Sequence, residues 1–174
     1  MTLEGSRNEE VSFVGDYWSL PTDIDLLASA GDAFVQKLID AGWQHDSDEV
    51  YWFRMAFDEA FINAVVHGNL GFVKPKDSEE SSMTVVRREQ LEHPTDRRVY
   101  VDIDVTPNRV SLTIRDEGAG FNWREVSDPT VGDAVMKTSG RGLFFMRSFF
   151  DDISYNEIGN EVRIVKSKKP AETI

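Results

Sequence analysis

Between Val99 and Ile114 the chain alternates apolar and polar residues twice in succession: Val99, Val101, Ile103 and Val105 against Tyr100, Asp102 and Asp104, then Val110, Leu112 and Ile114 after Pro107-Asn108. A two-residue period puts every second side chain on the same face, so each run reads as a strand with one buried and one wetted side. The short link between them makes the pair an antiparallel hairpin. A hairpin with one apolar face is stable only against a second layer, and the segments before it supply that layer. Ile24, Leu27, Ala28, Phe34, Val35 and Leu38 recur at helical spacing behind a cap at Thr22 or Asp23, ending near Gly42. A second helix is expected from about Glu49 to Val66, capped by Asp46, Ser47 or Asp48 and stopped at Gly68, with Val50, Phe57, Phe61, Ala64 and Val65 on one side. Val11 to Leu20 suits a strand closed by Pro21, and two more strands are expected near Ile153 to Asn156 and Val162 to Val165 around a turn at Gly159-Asn160. Helices gathered with such strands predict an α/β two-layer sandwich, helices on one face of a mixed, mainly antiparallel sheet.

The length, 174 residues, fits one domain with one core, and 40% hydrophobic residues including eleven Phe and four Trp provide the material. Met1 to Glu10 reads as a tail and residues 168–174 as another, leaving 11–167 as the domain. Within it, residues 71–98 form an extended charged segment in which Lys74-Pro75-Lys76 and Asp77 to Ser82 are loop-like, Met83 to Leu91 suits a short helix or strand, and His93-Pro94 breaks it. Phe121 to Thr138, with Pro129 and Gly132, has no clear period and reads as a long flexible loop. Cysteine is absent, which excludes disulfides, zinc-thiolate sites and thiol catalysis. With no apolar leader and no run of about 18 uncharged apolar residues, the expectation is a soluble cytoplasmic protein that does not enter a membrane. A net charge of −12 has the wrong sign for sequence-independent nucleic-acid binding. The charge is also uneven, 13 acidic and 3 basic side chains in residues 1–60 against 18 and 16 in residues 61–174. Such an acidic surface aids solubility, and it also suits a basic protein partner.

Three stretches carry chemistry. In Phe57 to Asn69, Glu59, Asn63 and His67 follow one another at four-residue steps, so they share a helical face opposite Phe57, Phe61 and Val65. A carboxylate and an amide one turn apart can share the shell of a Mg²⁺ ion, which takes only one or two protein oxygens; the plainer reading is an amphipathic helix with a wet side. Asp116 ends an alternating strand ahead of Gly118 and Gly120. A carboxylate there can accept from a purine amino group while the glycines let the backbone approach a flat base, although Asp-Glu-Gly is also ordinary turn material. Ser139-Gly140-Arg141-Gly142-Leu143 opens a helix, and free N–H groups at a helix start favour an anion such as phosphate.

In this order, with about fifty and then about twenty residues between them, the three stretches resemble the N box, the D-x-G-x-G box and the second glycine box of the GHKL nucleotide-binding family. AFINAVVHGN (60–69), DEGAGF (116–121) and the run from Gly140 to Lys166 resemble more particularly its branch of stand-alone anti-sigma-factor serine/threonine kinases, and the resemblance extends over roughly residues 12–167. It implies ATP and Mg²⁺ as cofactors. Asn63 would bind the metal, Glu59 would act as base or orienter for the attacking hydroxyl, and Asp116 would read adenine with Gly118, Gly120 and Phe121 beside the ring. Ser139, Gly140, Arg141, Gly142 and Leu143 would cradle the phosphates, and residues 121–139 would form the lid. Charge on the phosphates would be offset by Arg141, with Lys137 and Arg124 as alternatives.

The resemblance further implies a protein kinase that binds a sigma factor and phosphorylates a small antagonist protein, and it suggests a homodimer. A nucleotide-dependent partner-switching module without phosphoryl transfer is the alternative. A histidine kinase is disfavoured because His45, His67 and His93 lie in poor contexts for a phosphoacceptor.

Overall fold

The computed structural model describes residues 11–73, 79–125, 142 and 146–168. Five strands form one sheet: β1 (Tyr17–Pro21), β2 (Arg98–Thr106), β3 (Arg109–Arg115), β4 (Asp152–Tyr155) and β5 (Glu161–Ser167). Their order is β1-β2-β3-β5-β4 and every neighbouring pair is antiparallel. The predicted hairpin is β2–β3, with Val101 opposite Ile114 and Ile103 opposite Leu112. Because side chains alternate, Trp18, Leu20, Val99, Val101, Ile103, Val110, Leu112, Ile114, Val162 and Ile164 all point to one face and are buried. The first strand is shorter than expected, its ordered pairing starting only at Tyr17.

Against that face lie α1 (Leu27–Asp40) and α2 (Asp48–Ile62). A short 3₁₀ turn at Ile24–Leu26, capped by Asp23 through its carboxylate on the Asp25 N–H (3.0 Å), leads into α1. That tighter turn rotates the helix relative to a plain 3.6-residue count. Ala28 is therefore exposed, and Ala30, Gly31, Phe34 and Leu38 are buried, Gly31 against the Arg54 side chain of α2. Ser47 caps α2, its hydroxyl accepting from the Val50 N–H at 3.3 Å, and Asp48 and Glu49 add negative charge to the first turn. A row of rings joins the two helices: Phe34 stacks on Phe57 (5.2 Å between centroids) and Phe57 on Phe61 (5.8 Å), while Phe53 meets Phe34 and Trp43 edge-on. Arg54 completes the seam at the surface by donating to Asp58 on its own helix (2.8 Å) and to Asp32 on α1.

The second helix does not stop at Gly68. From Asn63 to Asn69 it widens into a π-helical segment, marked by the Leu70 N–H reaching the Val65 carbonyl (3.0 Å), and the left-handed residue that ends it is Gly71 (φ 62°). The wider turn changes the angular phase, which is why Ala64, Val65 and Val66 are all buried while His67 swings to solvent and bonds the Phe72 carbonyl. Of the charged segment 71–98, the part read as helix or strand is a helix, α3 (Ser82–Glu92), capped by Ser81 on the Thr84 N–H. It is tied to the start of α1 through Gln90, which accepts from the Ile24 N–H (2.9 Å) and donates to Asp23 (2.9 Å), and through the Arg87–Asp25 ion pair (2.6 Å). No helix among the described residues is long and apolar enough to cross a membrane.

The ring stack holds α1 to α2 in the core and Phe57 is fully buried at its centre, so Phe57→Ala is expected to destabilise the fold by about 3–5 kcal/mol. Denaturant titration against the parent chain measures it, and a loss below about 1 kcal/mol would mean the two helices are held together elsewhere.

Candidate functional site

The helix formed by α2 and its π-helical extension is the spine of the site, and two glycine contacts locate its two ends. At the C-terminal end, Gly68 faces the Asp116 carboxylate so closely that a methyl group there would meet Oδ1 at 2.5 Å. Nine residues earlier, Gly142 lies against the Glu59 side chain, where an added Cβ would meet Cγ at 2.6 Å and Oε2 at 2.7 Å. Asn63 stands between them. At no more than about 1.5 Å per residue, the two contacts lie on the order of 10 Å apart along the axis, a span that suits an elongated ligand lying along the helix. The helix thus brings Glu59, Asn63, Asp116, Gly118 and Gly142 to one structure.

Asp116 follows the last residue of β3 and is only 8% exposed. Its Oδ1 accepts from the Gly118 N–H at 2.7 Å, and among the described residues no hydrogen bond reaches Oδ2. Burial pushes its carboxyl up to about 6, against the opposing pull of the Gly118 N–H and of the Arg97 and Arg115 charges. A nearly buried carboxylate with an unused acceptor is matched to a neutral donor such as an exocyclic amine. Its backbone is fixed on one side by Asn160: the Asp116 N–H donates to the Asn160 carbonyl (2.9 Å), and the Asn160 amide donates back to the Asp116 carbonyl (2.9 Å). Asn156 holds Asn160 in turn, through its amide on Asn160 Oδ1 (2.7 Å).

The glycines after Asp116 serve contacts that composition does not reveal. A Cβ on Gly118 would strike the backbone of Gly68, so both glycines are needed for the loop to nest on the helix end. Gly120 has φ 74° and packs on the Ile158 carbonyl in the β4–β5 turn, where only glycine is free of both strain and collision. Phe121 is 43% exposed and meets Tyr155 edge-on (5.3 Å). Beyond it a 3₁₀ turn at Trp123–Glu125 is fastened to the sheet: Trp123 stacks on Tyr155 (6.1 Å) and donates to the Asn156 carbonyl (2.7 Å). Arg124 lies over the Trp123 ring (4.4 Å) and reaches the Glu157 carbonyl (3.4 Å). The residues read as the rest of the lid, together with Lys137, Ser139, Gly140, Arg141 and Leu143, lie outside the described residues.

At the other end, neither Glu59 nor Asn63 has a side-chain hydrogen bond among the described residues, although both are partly buried. Tyr155 shares this corner: burial raises its hydroxyl above the ordinary range, the Arg147 charge opposes the rise and the Glu59 carboxylate adds to it. The donor set suits a magnesium nucleotide: one amide oxygen and one carboxylate oxygen a turn apart, hard ligands that leave room for phosphate and water. Sequence reasoning missed Asn69, Arg97 and Asn160, which brace the Asp116 loop. Asn69 looks like a helix-end residue and Asn160 like a hairpin-turn residue, and only the fold shows them converging.

Fold and site together define a nucleotide-binding α/β sandwich of ATPase type. The chain belongs to the histidine kinase-like ATPase domain family, whose model matches residues 20–166, from β1 nearly to the end of β5. It is similar to the Anti-sigma F factor of Bacillus velezensis, 27% identical over 124 residues that make up 68% of this chain and 70% of that protein. It is similar also to those of Bacillus licheniformis, at 28% over the same shares, and of Bacillus subtilis, at 27%.

The raised Asp116 carboxyl has a consequence for pH dependence. Its folded value of about 6 lies above the ordinary 3.8, so the folded chain holds the proton more tightly. The stability this contributes is full below about 3.8 and is lost as pH rises through 6. Relative to Asp116→Asn, the native chain is expected to gain on the order of 3 kcal/mol between pH 7 and pH 4. Chemical denaturation of both proteins at several pH values checks this; a constant difference between them would contradict it.

Proposed function

We propose that this protein is an ATP-dependent serine/threonine protein kinase that acts as an anti-sigma regulatory factor, phosphorylating a small antagonist protein. The observation that carries the reading is the alignment along one helix of a partly buried carboxylate (Glu59) against Gly142, an amide without a hydrogen bond among the described residues (Asn63), and the nearly buried Asp116 carboxylate at the far end. Similarity to the Bacillus anti-sigma F factors supports the regulatory half of the proposal.

In this reading Asp116 accepts a hydrogen bond from the adenine amino group through its unused Oδ2. Asn63 would hold Mg²⁺, which supplies charge neutralisation to the phosphates when bound. Gly142 lies against Glu59, and the glycine stretch 139–143 would keep the γ-phosphoryl group there by offering N–H donors to it. The acceptor hydroxyl oxygen attacks the γ-phosphorus, the bond from that phosphorus to the bridging oxygen breaks, and the hydroxyl proton passes to the Glu59 carboxylate. ADP leaves and a phosphoserine or phosphothreonine remains on the partner. The chain's contribution is chiefly positioning: the rigid spine fixes the distance between base recognition and transfer. The domain would comprise residues 11–167 with a lid over 121–139, and the partners would be a sigma factor and its antagonist.

Glu59→Ala is expected to reduce transfer of labelled phosphate to the antagonist by at least 10²-fold while changing ATP affinity by less than about threefold. Quantitative phosphorylation and equilibrium ATP binding separate the outcomes. Undiminished transfer removes Glu59 from the mechanism. Nucleotide-controlled partner binding with no phosphoprotein in the native chain would replace the kinase by a switching module.

A further inference from the structure

Asn69 is 3% exposed, and its side-chain amide is engaged in three directions. Nδ2 donates to the Thr22 hydroxyl (2.8 Å) and to the Arg98 carbonyl (2.9 Å), and Oδ1 accepts from the Glu117 N–H (2.8 Å). Both amide hydrogens and the oxygen are therefore committed. The third bond matters most, because Glu117 directly follows Asp116 and its N–H belongs to the same peptide unit as the Asp116 carbonyl. Asn69 itself is held from outside. Arg97, exposed at the end of the 71–98 segment, donates through Nη1 to the Asn69 carbonyl (2.9 Å), and the Thr22 hydroxyl donates to the Arg97 carbonyl (2.6 Å). A closed set of bonds thus runs from the end of β1, through the last residues of the charged segment, to the helix end and into the turn that carries Asp116.

The Asp116 peptide is gripped from two sides, by Asn160 at its own N–H and carbonyl and by Asn69 at the next N–H. With the Asn160 grip alone, the turn keeps an anchor but gains freedom to pivot, and the direction of Oδ2 is no longer fixed. Hydrogen bonds weaken steeply with misalignment, so the energetic effect falls on whatever Oδ2 recognises.

We infer that Asn69, braced by Arg97, is the positioning residue that aims Asp116 at the amino group of the bound purine and so sets base selectivity. This assigns a task to the end of the charged segment: it is a strut behind the recognition loop. The inference rests on the reading of Asp116 as the group that recognises the base, and the experiment separates the two.

Equilibrium binding of ATP and of purine riboside triphosphate, the analogue lacking the 6-amino group, is measured on the full chain and on Asn69→Ala, Arg97→Met and Asp116→Ala. The native protein is expected to prefer ATP by roughly tenfold to a hundredfold, the range for a hydrogen bond to a charged group. Asp116→Ala should abolish the preference, and Asn69→Ala should reduce it to within about threefold while leaving analogue affinity nearly unchanged. Arg97→Met, an exposed change that leaves the core intact, should narrow it severalfold, and it decides the matter if Asn69→Ala does not fold. Equal losses for both nucleotides, or an unchanged ratio in Arg97→Met, overturn the positioning role, because a merely structural residue moves both affinities together. A native chain without preference overturns base recognition by Asp116 itself. A preference that Asp116→Ala removes and the other two variants retain overturns the inference alone.

Discussion

The burial of α2 in the core, where its Phe57 and Phe61 stack in line with Phe34 of α1, is the constraint from which the site follows. One face of that helix is filled with stacked rings that fix its rotation and its axial position. Glu59 and Asn63 are then carried to the open side without further adjustment, and Gly68 is delivered to the end of β3, where Asp116 waits. Residues far apart in the sequence become neighbours because a single helix touches both the Asp116 turn and Gly142. Their mutual spacing is a property of the core, and the loops inherit it.

The elements governed by periodicity were legible before any coordinates. The β2–β3 hairpin and the apolar side of α2 follow from residue type and spacing, and the cap of α2, Ser47, is one of the three candidates that Asp46 to Asp48 offered. Three kinds of information were not legible. The angular phase of α1 was set by the 3₁₀ turn ahead of it, and the phase after residue 62 by a change of helix type; neither has a reliable sequence signal. The purpose of Gly68 and Gly118 is mutual contact across 50 residues, which local reasoning takes for a helix stop and a turn. Asn69 and Asn160 matter because of the groups they meet, and those partners are distant in sequence.

Charge tells a related story. The acidic excess near the N-terminus does not surround Asp116 with like charge: Arg97 and Arg115 face it, and both come from the more balanced part of the chain. The cost of holding a carboxylate nearly out of water is thereby moderated, leaving an acid whose burial still raises its proton affinity.

The widened helical turn at Asn63–Asn69 has a meaning for how such a protein tolerates change in length. One extra residue accommodated within a single turn lets three successive apolar side chains, Ala64 to Val66, enter the core and still returns Gly68 and Asn69 to the recognition loop. Removing any one residue there would restore ordinary winding and twist everything downstream by about 100°, uncoupling the Asp116 end of the helix from the Glu59 end. The spine therefore behaves as a gauge whose calibration resides in its backbone.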